Sequence, residues 1–271
     1  VKYGLIAGEG RFPLLVLQSA KQQGHEIVAV AVKEEASSEI EQWADRCYWI
    51  SLGELSKLIN IFHEEKISEA VMAGRVRHSR IYSSIRPDWR LLKLLASLTR
   101  KNTDSLIGAV ANVLAEEGIR LLDSTAFLQR LMAPEGLIAS RRPTGDESGD
   151  IAYGREVAAA LAGFDIGQTV VICEKACVAV EAMEGTNDVI ARAGQFSNGR
   201  RLTIVKAAKP RQDMRFDVPV VGPTTIEKME QVHATALAVE AGRTLLIDRD
   251  KLIESADRAH IAVIGYVRAE P

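Results

Sequence analysis

The chain has little of what disulfide frameworks, zinc sites or membrane spans are made from. Its 271 residues include 3 cysteines and 5 histidines. Three cysteines cannot all pair within one chain, and Cys173 and Cys177 stand in apolar surroundings. Free thiols in a reducing compartment are therefore expected. The histidines are scattered, and none has the spacing of a zinc-binding helix pair, which disfavours zinc. No apolar run reaches the ~18 residues that a spanning helix requires. Residues 1–8 are too short and too soon glycine-rich for a secretory leader, so a cytoplasmic location is expected. The net charge of −2 lacks the basic footprint of a nucleic-acid binder. What remains is the balance of an ordinary globular protein, with 47% hydrophobic and 26% charged residues. The length suits two domains.

The first third alternates short apolar β-type runs with helical patterns. Strands are expected at 3–7, 26–32, 47–51, 69–73 and 119–123, with helices at 14–23, from the third strand to about 65, and at 88–98 and 104–117. Such alternation predicts an α/β fold whose N-terminal domain is a Rossmann-like, doubly wound parallel sheet. Residues 133–150 carry three glycines, two prolines and several charges without a sustained period, and read as a linker between domains 1–132 and 151–271. The second domain reads as mixed α/β. Its expected helices are 151–162, 188–196 and a long one over 226–240; its expected strands are 169–173, 177–182, 202–205, 244–247 and 262–267.

Gly8-Glu9-Gly10-Arg11-Phe12-Pro13 follows the first strand and opens the first helix. Glycines there let a backbone approach a phosphate, and the helix N-terminus offers unpaired N–H groups. Pro13 stands where the dinucleotide fingerprint has its third glycine; it suits a first helical turn but does not reproduce that glycine's close packing. A plain strand–helix turn explains the same residues, so both readings stand. Glu34 and Glu35 would meet a ribose in an NAD enzyme, or simply be solvated. Gly74-Arg75-Val76-Arg77 begins at the carboxyl end of the fourth strand, where ligands bind in open parallel sheets. Arg75 lies nearest that end, and an arginine fork matches phosphate oxygens. Asn102 and Asp104 offer polar contacts, although Asp104 equally suits a helix cap. Leu91, Leu94, Leu95 and Leu98 recur at helical spacing beside Trp89, Arg90 and Lys93. Core packing is the default for such a stripe, and contact with a membrane surface is the alternative.

The densest polar block is Lys206-Ala207-Ala208-Lys209-Pro210-Arg211-Gln212-Asp213-Met214-Arg215-Phe216-Asp217-Val218-Pro219. If 213–218 is extended, Asp213, Arg215 and Asp217 share one face. Upstream, Glu181, Glu184, Thr186 and Asp188 cluster where a strand gives way to a helix. Mg²⁺ takes hard oxygen ligands, usually one or two carboxylates plus substrate phosphates. Lys206 and Lys209 would offset the remaining phosphate charge. An exposed, salt-bridged strand is the plainer reading of the same block.

Taken together, Ala7-Gly8-Glu9-Gly10-Arg11-Phe12-Pro13, Ala73-Gly74-Arg75-Val76, Glu181-Ala182-Met183-Glu184-Gly185-Thr186-Asn187-Asp188 and the 209–219 block resemble one family. This is the Mg²⁺-dependent UDP-2,3-diacylglucosamine pyrophosphatase of lipid A biosynthesis, of the two-domain type unrelated to the calcineurin-like enzymes. The resemblance runs through essentially the whole chain, and the 209–219 block is its most specific part. It implies hydrolysis of UDP-2,3-diacylglucosamine to UMP and 2,3-diacylglucosamine 1-phosphate with Mg²⁺ or Mn²⁺. The setting it implies is the cytoplasmic face of the inner membrane, with peripheral lipid contact and no nucleic acid. It implies catalytic roles for Asp213, Asp217, Arg215, Lys206 and Lys209, and metal contacts from Asp213, Asp217, Asp188 and Glu184. Substrate contacts would come from Gly8, Gly10, Arg11, Phe12, Pro13, Gly74, Arg75, Asn102, Asp104 and Thr186. The uridine end is expected against the first domain, with the diacyl sugar enclosed between domains. The rivals are an NAD(P)-dependent oxidoreductase, which Pro13 counts against, and a non-catalytic nucleotide-binding protein. Carboxylates repel phosphate unless a cation intervenes, so the acidic block counts against the second.

Overall fold

A strand whose neighbours cover both faces is apolar throughout, and six successive residues of Glu26–Val32 are buried, all but Glu26 itself. The computed structural model describes residues 1–76, 86–98 and 103–268, apart from the side chains of Thr103 and Asp104. The chain divides into two compact units. Val1–Gln129 and Asp213–Asp217 make up the first, and Arg130–Gln212 with the chain from Val218 onward make up the second.

The first unit contains β1 (Lys2–Ala7), α1 (Phe12–Gln22), β2 (Glu26–Val32), α2 (Ile40–Trp43), β3 (Arg46–Ile50), α3 (Leu55–Glu64), β4 (Glu69–Ala73), α4 (Trp89–Ser97), α5 (Thr103–Glu116) and β5 (Arg120–Leu121). The five strands are all parallel, in the order β3-β2-β1-β4-β5. The sheet therefore winds outward in both directions from β1, as a Rossmann-like sheet does, and its switch point lies between β1 and β4. In α3, Leu55, Leu58, Ile59 and Phe62 are buried, the i, i+3, i+4, i+7 stripe that turns a helix onto a sheet. Asp88 caps α4 by accepting the Leu91 N–H (2.9 Å) and also takes the Ser56 N–H (2.6 Å). Of the expected strand 119–123 only β5 forms, because the Asp123 carboxylate accepts the Thr125 N–H (2.7 Å) and folds the chain into a turn.

In the second unit β6 (Gly136–Leu137) and α6 (Gly145–Gly163) precede β7 (Thr169–Cys173), β8 (Ala176–Val180), α7 (Thr186–Ser197) and β9 (Leu202–Lys206). Then come β10 (Val220–Val221), α8 (Pro223–Gln231), β11 (Ala234–Glu240), β12 (Leu245–Leu246), α9 (Arg249–Arg258) and β13 (Ala262–Tyr266). The main sheet runs β6-β13-β11-β9-β7-β8. Strands β13, β11 and β9 are parallel, with antiparallel strands at both edges. The pleat sorts side chains between two cores. Leu202, Ile204, Leu237 and Val239 join Ile190, Met229 and Leu252 of α7, α8 and α9 on one face. Val205, Ala236, Ala238 and Ala262 join Ile151 and Ala158 of α6 on the other.

Two expectations fail here for physical reasons, and one helix goes unanticipated. The long helix over 226–240 is α8 followed by β11, separated at His233, whose φ of +57° breaks the helical path. The alanines of 234–240 suggested a helix, yet small side chains are what the α6 face requires. A Cβ on Gly154 of α6 would lie 2.6 Å from Val205, so helix and sheet are already in close contact. Residues 133–150 are ordered rather than a plain linker: β6 pairs with β13, and Thr144 and Glu147 form a capping box that starts α6. Helix α9 escapes a sequence reading because its buried stripe is only Leu252 and Ala256.

At the amino edge of the first sheet, Glu65 is buried and accepts from Lys2 Nζ (2.6 Å), Arg46 Nη1 (2.8 Å) and Tyr48 Oη (2.5 Å). The hydrogen bonds from Lys2, Tyr48 and Arg46 lower its carboxyl from the ordinary 4.5 to about 2. A folded-state value below the unfolded one makes the carboxylate stabilising above about 4.5, and that contribution is lost as pH falls through about 2. Glu65→Gln should lower the denaturation midpoint at pH 7, and the gap to the native protein should narrow steadily between these two values. A constant gap down to pH 2 would contradict the ionic role.

Candidate functional site

At the switch point of the first sheet the exits of β1 and β4 are joined by their backbones. The Gly8 N–H donates to Ala73 O (2.9 Å), and Glu9 and Arg75 exchange N–H···O bonds of 2.8 and 3.0 Å. A Cβ on Gly8 would lie 2.8 Å from Arg75 O, and one on Gly74, where φ is +90°, would lie 2.7 Å from Glu9 O. These two glycines are thus required by the mutual approach of two chain segments. Gly10 differs: its φ is +101° and nothing lies within 4 Å of its Cβ position, so its backbone faces open space. Arg11 is exposed, Phe12 is half-buried and Pro13 is buried in the first turn of α1. Arg75 is exposed, with its Nη2 3.6 Å from Glu9 Oε2. Glu34 accepts the Leu52 N–H (3.2 Å), and Glu35 is buried. Asn102 and the side chain of Asp104 lie outside the described residues.

The segment Asp213–Asp217 also belongs to this unit. It is not extended. The Phe216 and Asp217 N–H groups both donate to Asp213 O (3.2 and 2.9 Å), and Asp213 Oδ1 accepts the Arg215 N–H (3.1 Å). An aspartate that bonds the backbone two residues on makes a turn in place of a strand, so the expected single face of Asp213, Arg215 and Asp217 does not form. Arg215 instead grips Asp213 through Nε (2.9 Å) and Nη2 (2.7 Å). That guanidinium holds the Asp213 carboxyl below the usual carboxylate range. Ser124, just beyond β5, fixes the turn to the sheet. Its N–H donates to Met214 O (2.8 Å), and its Oγ lies 2.5 Å from Met72 O and 2.7 Å from Arg215 O. The carboxyl edge of one parallel sheet therefore carries the glycine turn, Arg75 and the Asp213–Asp217 turn.

In the second unit, Lys206 ends β9 and is 5% exposed. Its Nζ donates to Thr186 Oγ1 (2.6 Å) and Thr169 Oγ1 (3.3 Å), and lies 3.9 Å from Glu181 Oε2. The Thr186 hydroxyl in turn donates to Glu181 Oε1 (3.1 Å), and Glu181 is buried as well. A buried ammonium is tolerated only with such compensation. Thr186 opens α7, so the cluster sits beside the positive end of a helix. Lys209 Nζ pairs with Asp165 Oδ1 (2.7 Å), and its N–H donates to Gln212 Oε1 (2.6 Å). Glu184 accepts the Ala182 N–H (2.9 Å) and pairs with Arg192 (2.6 Å). Its own backbone N–H first, and Arg192 next, lower its carboxyl. Asp188 is exposed in the first turn of α7. Among the described residues no group of three or more His, Cys, Asp or Glu side chains is arranged to cage a metal ion.

Ser124 and Thr169 carry no warning in the sequence: Thr169 begins a segment that reads as strand, and Ser124 follows one. The acidic spacing around 181–188 does point to Glu181, although not to its bond with Thr186.

Comparison with known proteins bears on both halves of the chain. The LpxI N-terminal domain model matches residues 2–131, and the LpxI C-terminal domain model matches residues 134–264. The chain belongs to the LpxI family. UDP-2,3-diacylglucosamine pyrophosphatase LpxI of Caulobacter vibrioides is 30% identical to it over 276 residues, covering 97% of each chain. Solved structures overlap this LpxI-family chain only in part. WbmG of Bordetella bronchiseptica, in complex with NAD and UDP, has a TM-score of 0.29 and 15% identity over 43% of this chain and 34% of its own. UDP-glucose 4-epimerase from Bifidobacterium longum, in complex with NAD⁺ and UDP, has a TM-score of 0.31 and 12% identity over 54% of this chain and 43% of its own. Overlaps this slight carry no argument about ligands.

Ser124→Ala should test the attachment of the turn. It removes the hydroxyl that donates its one hydrogen to Met72 O or Arg215 O, and a lost hydrogen bond typically costs about 0.5–1.5 kcal/mol. A urea titration should show a lower midpoint with an unchanged slope. An unchanged midpoint would mean that the hydroxyl does not hold the turn.

Proposed function

We propose that the chain hydrolyses the pyrophosphate bond of UDP-2,3-diacylglucosamine, giving UMP and 2,3-diacylglucosamine 1-phosphate. Membership of the LpxI family through both halves carries this reading, because the Caulobacter relative is named for that activity. The carboxyl-edge cluster of the first sheet supports it, since open parallel sheets bind nucleotides at their switch points. Gly10, Arg11, Phe12, Pro13 and Arg75 are the contacts proposed there, and Thr186 is the one proposed at the start of α7.

The doubly charged diphosphate resists the approach of a nucleophile's electron pair, so the site must offset negative charge that grows in the transition state. Lys206, Lys209 and Arg215 are the cations assigned to this task. Asp213 and Asp217 orient the attacking water. Mg²⁺ takes one or two carboxylates and completes its shell with phosphate oxygens and water. Asp213 and Asp217 are the donors proposed to hold Mg²⁺ or Mn²⁺ in the first unit, and Asp188 and Glu184 are the candidate donors of the second unit taken by itself. When bound, such an ion supplies charge neutralisation and a more acidic water.

Peripheral contact with the inner membrane belongs to the same proposal. Helix α4 buries Leu91 and Leu94, while Trp89 is 77% and Leu92 48% exposed beside exposed Arg90 and Lys93. Apolar and basic side chains in this arrangement suit a headgroup surface. Among the described residues no helix is long and apolar enough to cross a membrane. The oxidoreductase alternative gains nothing from Glu34, which is bonded to the Leu52 N–H.

UMP release tests the reading. Asp213→Ala and Asp217→Ala should each reduce turnover ~100-fold, on the order of 3 kcal/mol of transition-state stabilisation. Substrate binding should fall far less, with circular dichroism confirming the fold. Near-normal turnover in both variants would remove the turn from catalysis. Excess EDTA followed by dialysis should abolish release and Mg²⁺ should restore it; full activity in EDTA would refute the metal requirement.

A further inference from the structure

The first unit has an apolar, partly open pocket of about 150 Å³ beside the carboxyl edge of its sheet. Ile6 and Met72 form part of the wall, and they stand side by side on β1 and β4, each two residues before the switch-point glycines Gly8 and Gly74. Ile50, Leu58, Leu106 and Val110 close other sides. Ser51 and Glu54 also touch the cavity, but the Ser51 N–H is already bonded to Glu54 Oε2 at 2.6 Å. A pocket lined almost wholly by aliphatic side chains accepts an apolar guest.

We infer that this cavity takes the end of an acyl chain of the substrate. The inference rests on the pyrophosphatase reading for the identity of the lipid. Three observations point the same way. The Met72 carbonyl that Ser124 Oγ contacts belongs to a cavity-lining residue, so the apolar well and the polar turn share one strand end. Helix α4 contributes Leu91 to the wall, and the same helix exposes Trp89 and Leu92 on its outer side. A ligand that is polar at one end and aliphatic at the other matches a polar rim above a carbon-lined well. The relative's substrate, a diacylated nucleotide sugar, has that form.

The test uses the full chain with half-buried Val110 and Leu52 enlarged, as Val110→Phe and Leu52→Phe. Turnover is measured on UDP-glucosamine carrying two decanoyl chains and on the same nucleotide sugar carrying two acetyl groups. Each methylene that leaves a buried site costs about fourfold in affinity. Both variants should therefore raise KM for the decanoyl substrate about tenfold or more, with kcat/KM for the acetyl substrate within about twofold of the native protein. Melting midpoints near the native value confirm the fold. Equal losses on both substrates, or no loss on either, would overturn the assignment. If the native protein turns over neither substrate, the pyrophosphatase reading fails and the cavity is judged separately. Decanoate should then displace a fluorescent fatty acid from the native protein but not from Val110→Phe. Displacement that is the same in both would overturn the cavity as an acyl site.

Discussion

The backbones of β1 and β4 come so close at their carboxyl ends that neither Gly8 nor Gly74 has room for a Cβ. That approach is what makes the edge of the first sheet a site. It aligns the Gly8–Pro13 turn with Arg75 and leaves Gly10 facing open space. It also fixes Met72, two residues before Gly74, whose carbonyl lies against Ser124 Oγ. The Asp213–Asp217 turn reaches the same edge only because Ser124 bonds it at Met214 and Arg215. A parallel sheet directs all its strand ends one way, and that common direction brings together residues more than a hundred positions apart.

The second unit relies on electrostatics that burial makes demanding. Lys206, Glu181, Thr186 and Thr169 are hydrogen-bonded in a chain, and low local dielectric makes each missing bond costly. The carbonyl of Lys206 accepts the Tyr266 hydroxyl (3.1 Å), so its backbone is tied to β13 as well. Just beyond, buried Glu240 accepts the Ala208 N–H (2.9 Å) and pairs with Arg268 (2.8 Å), which fixes the chain as it leaves β9. Such networks contribute less to net stability than to a single geometry.

Much of this was readable from residue order, and the failures have identifiable causes. The central strands of the first unit were visible because they are largely buried and bounded by glycine or charge; Glu26–Val32 and Glu69–Ala73 were delimited to the residue. In the second unit the alanines of β11 suggested a helix, since nothing in 226–240 announces the left-handed residue at His233. Alternating charge at 213–217 suggested a strand, whereas the Asp213 side chain competes for backbone N–H groups and makes a turn. Residue type and family resemblance both point to the candidate site residues. Contacts from Ser124 to Arg215, or from Lys206 to Thr186, depend on tertiary packing, which local pattern does not encode.

The central chemistry is the splitting of a phosphoric anhydride by water, and phosphorus NMR observes it directly. In a time course with the protein, Mg²⁺ and UDP-2,3-diacylglucosamine, the two coupled diphosphate resonances should decline together. Two monoester signals should replace them in equal amounts, one matching UMP and the other 2,3-diacylglucosamine 1-phosphate. Diphosphate resonances that persist, or a UDP signal that arises with loss of the sugar, would contradict the account.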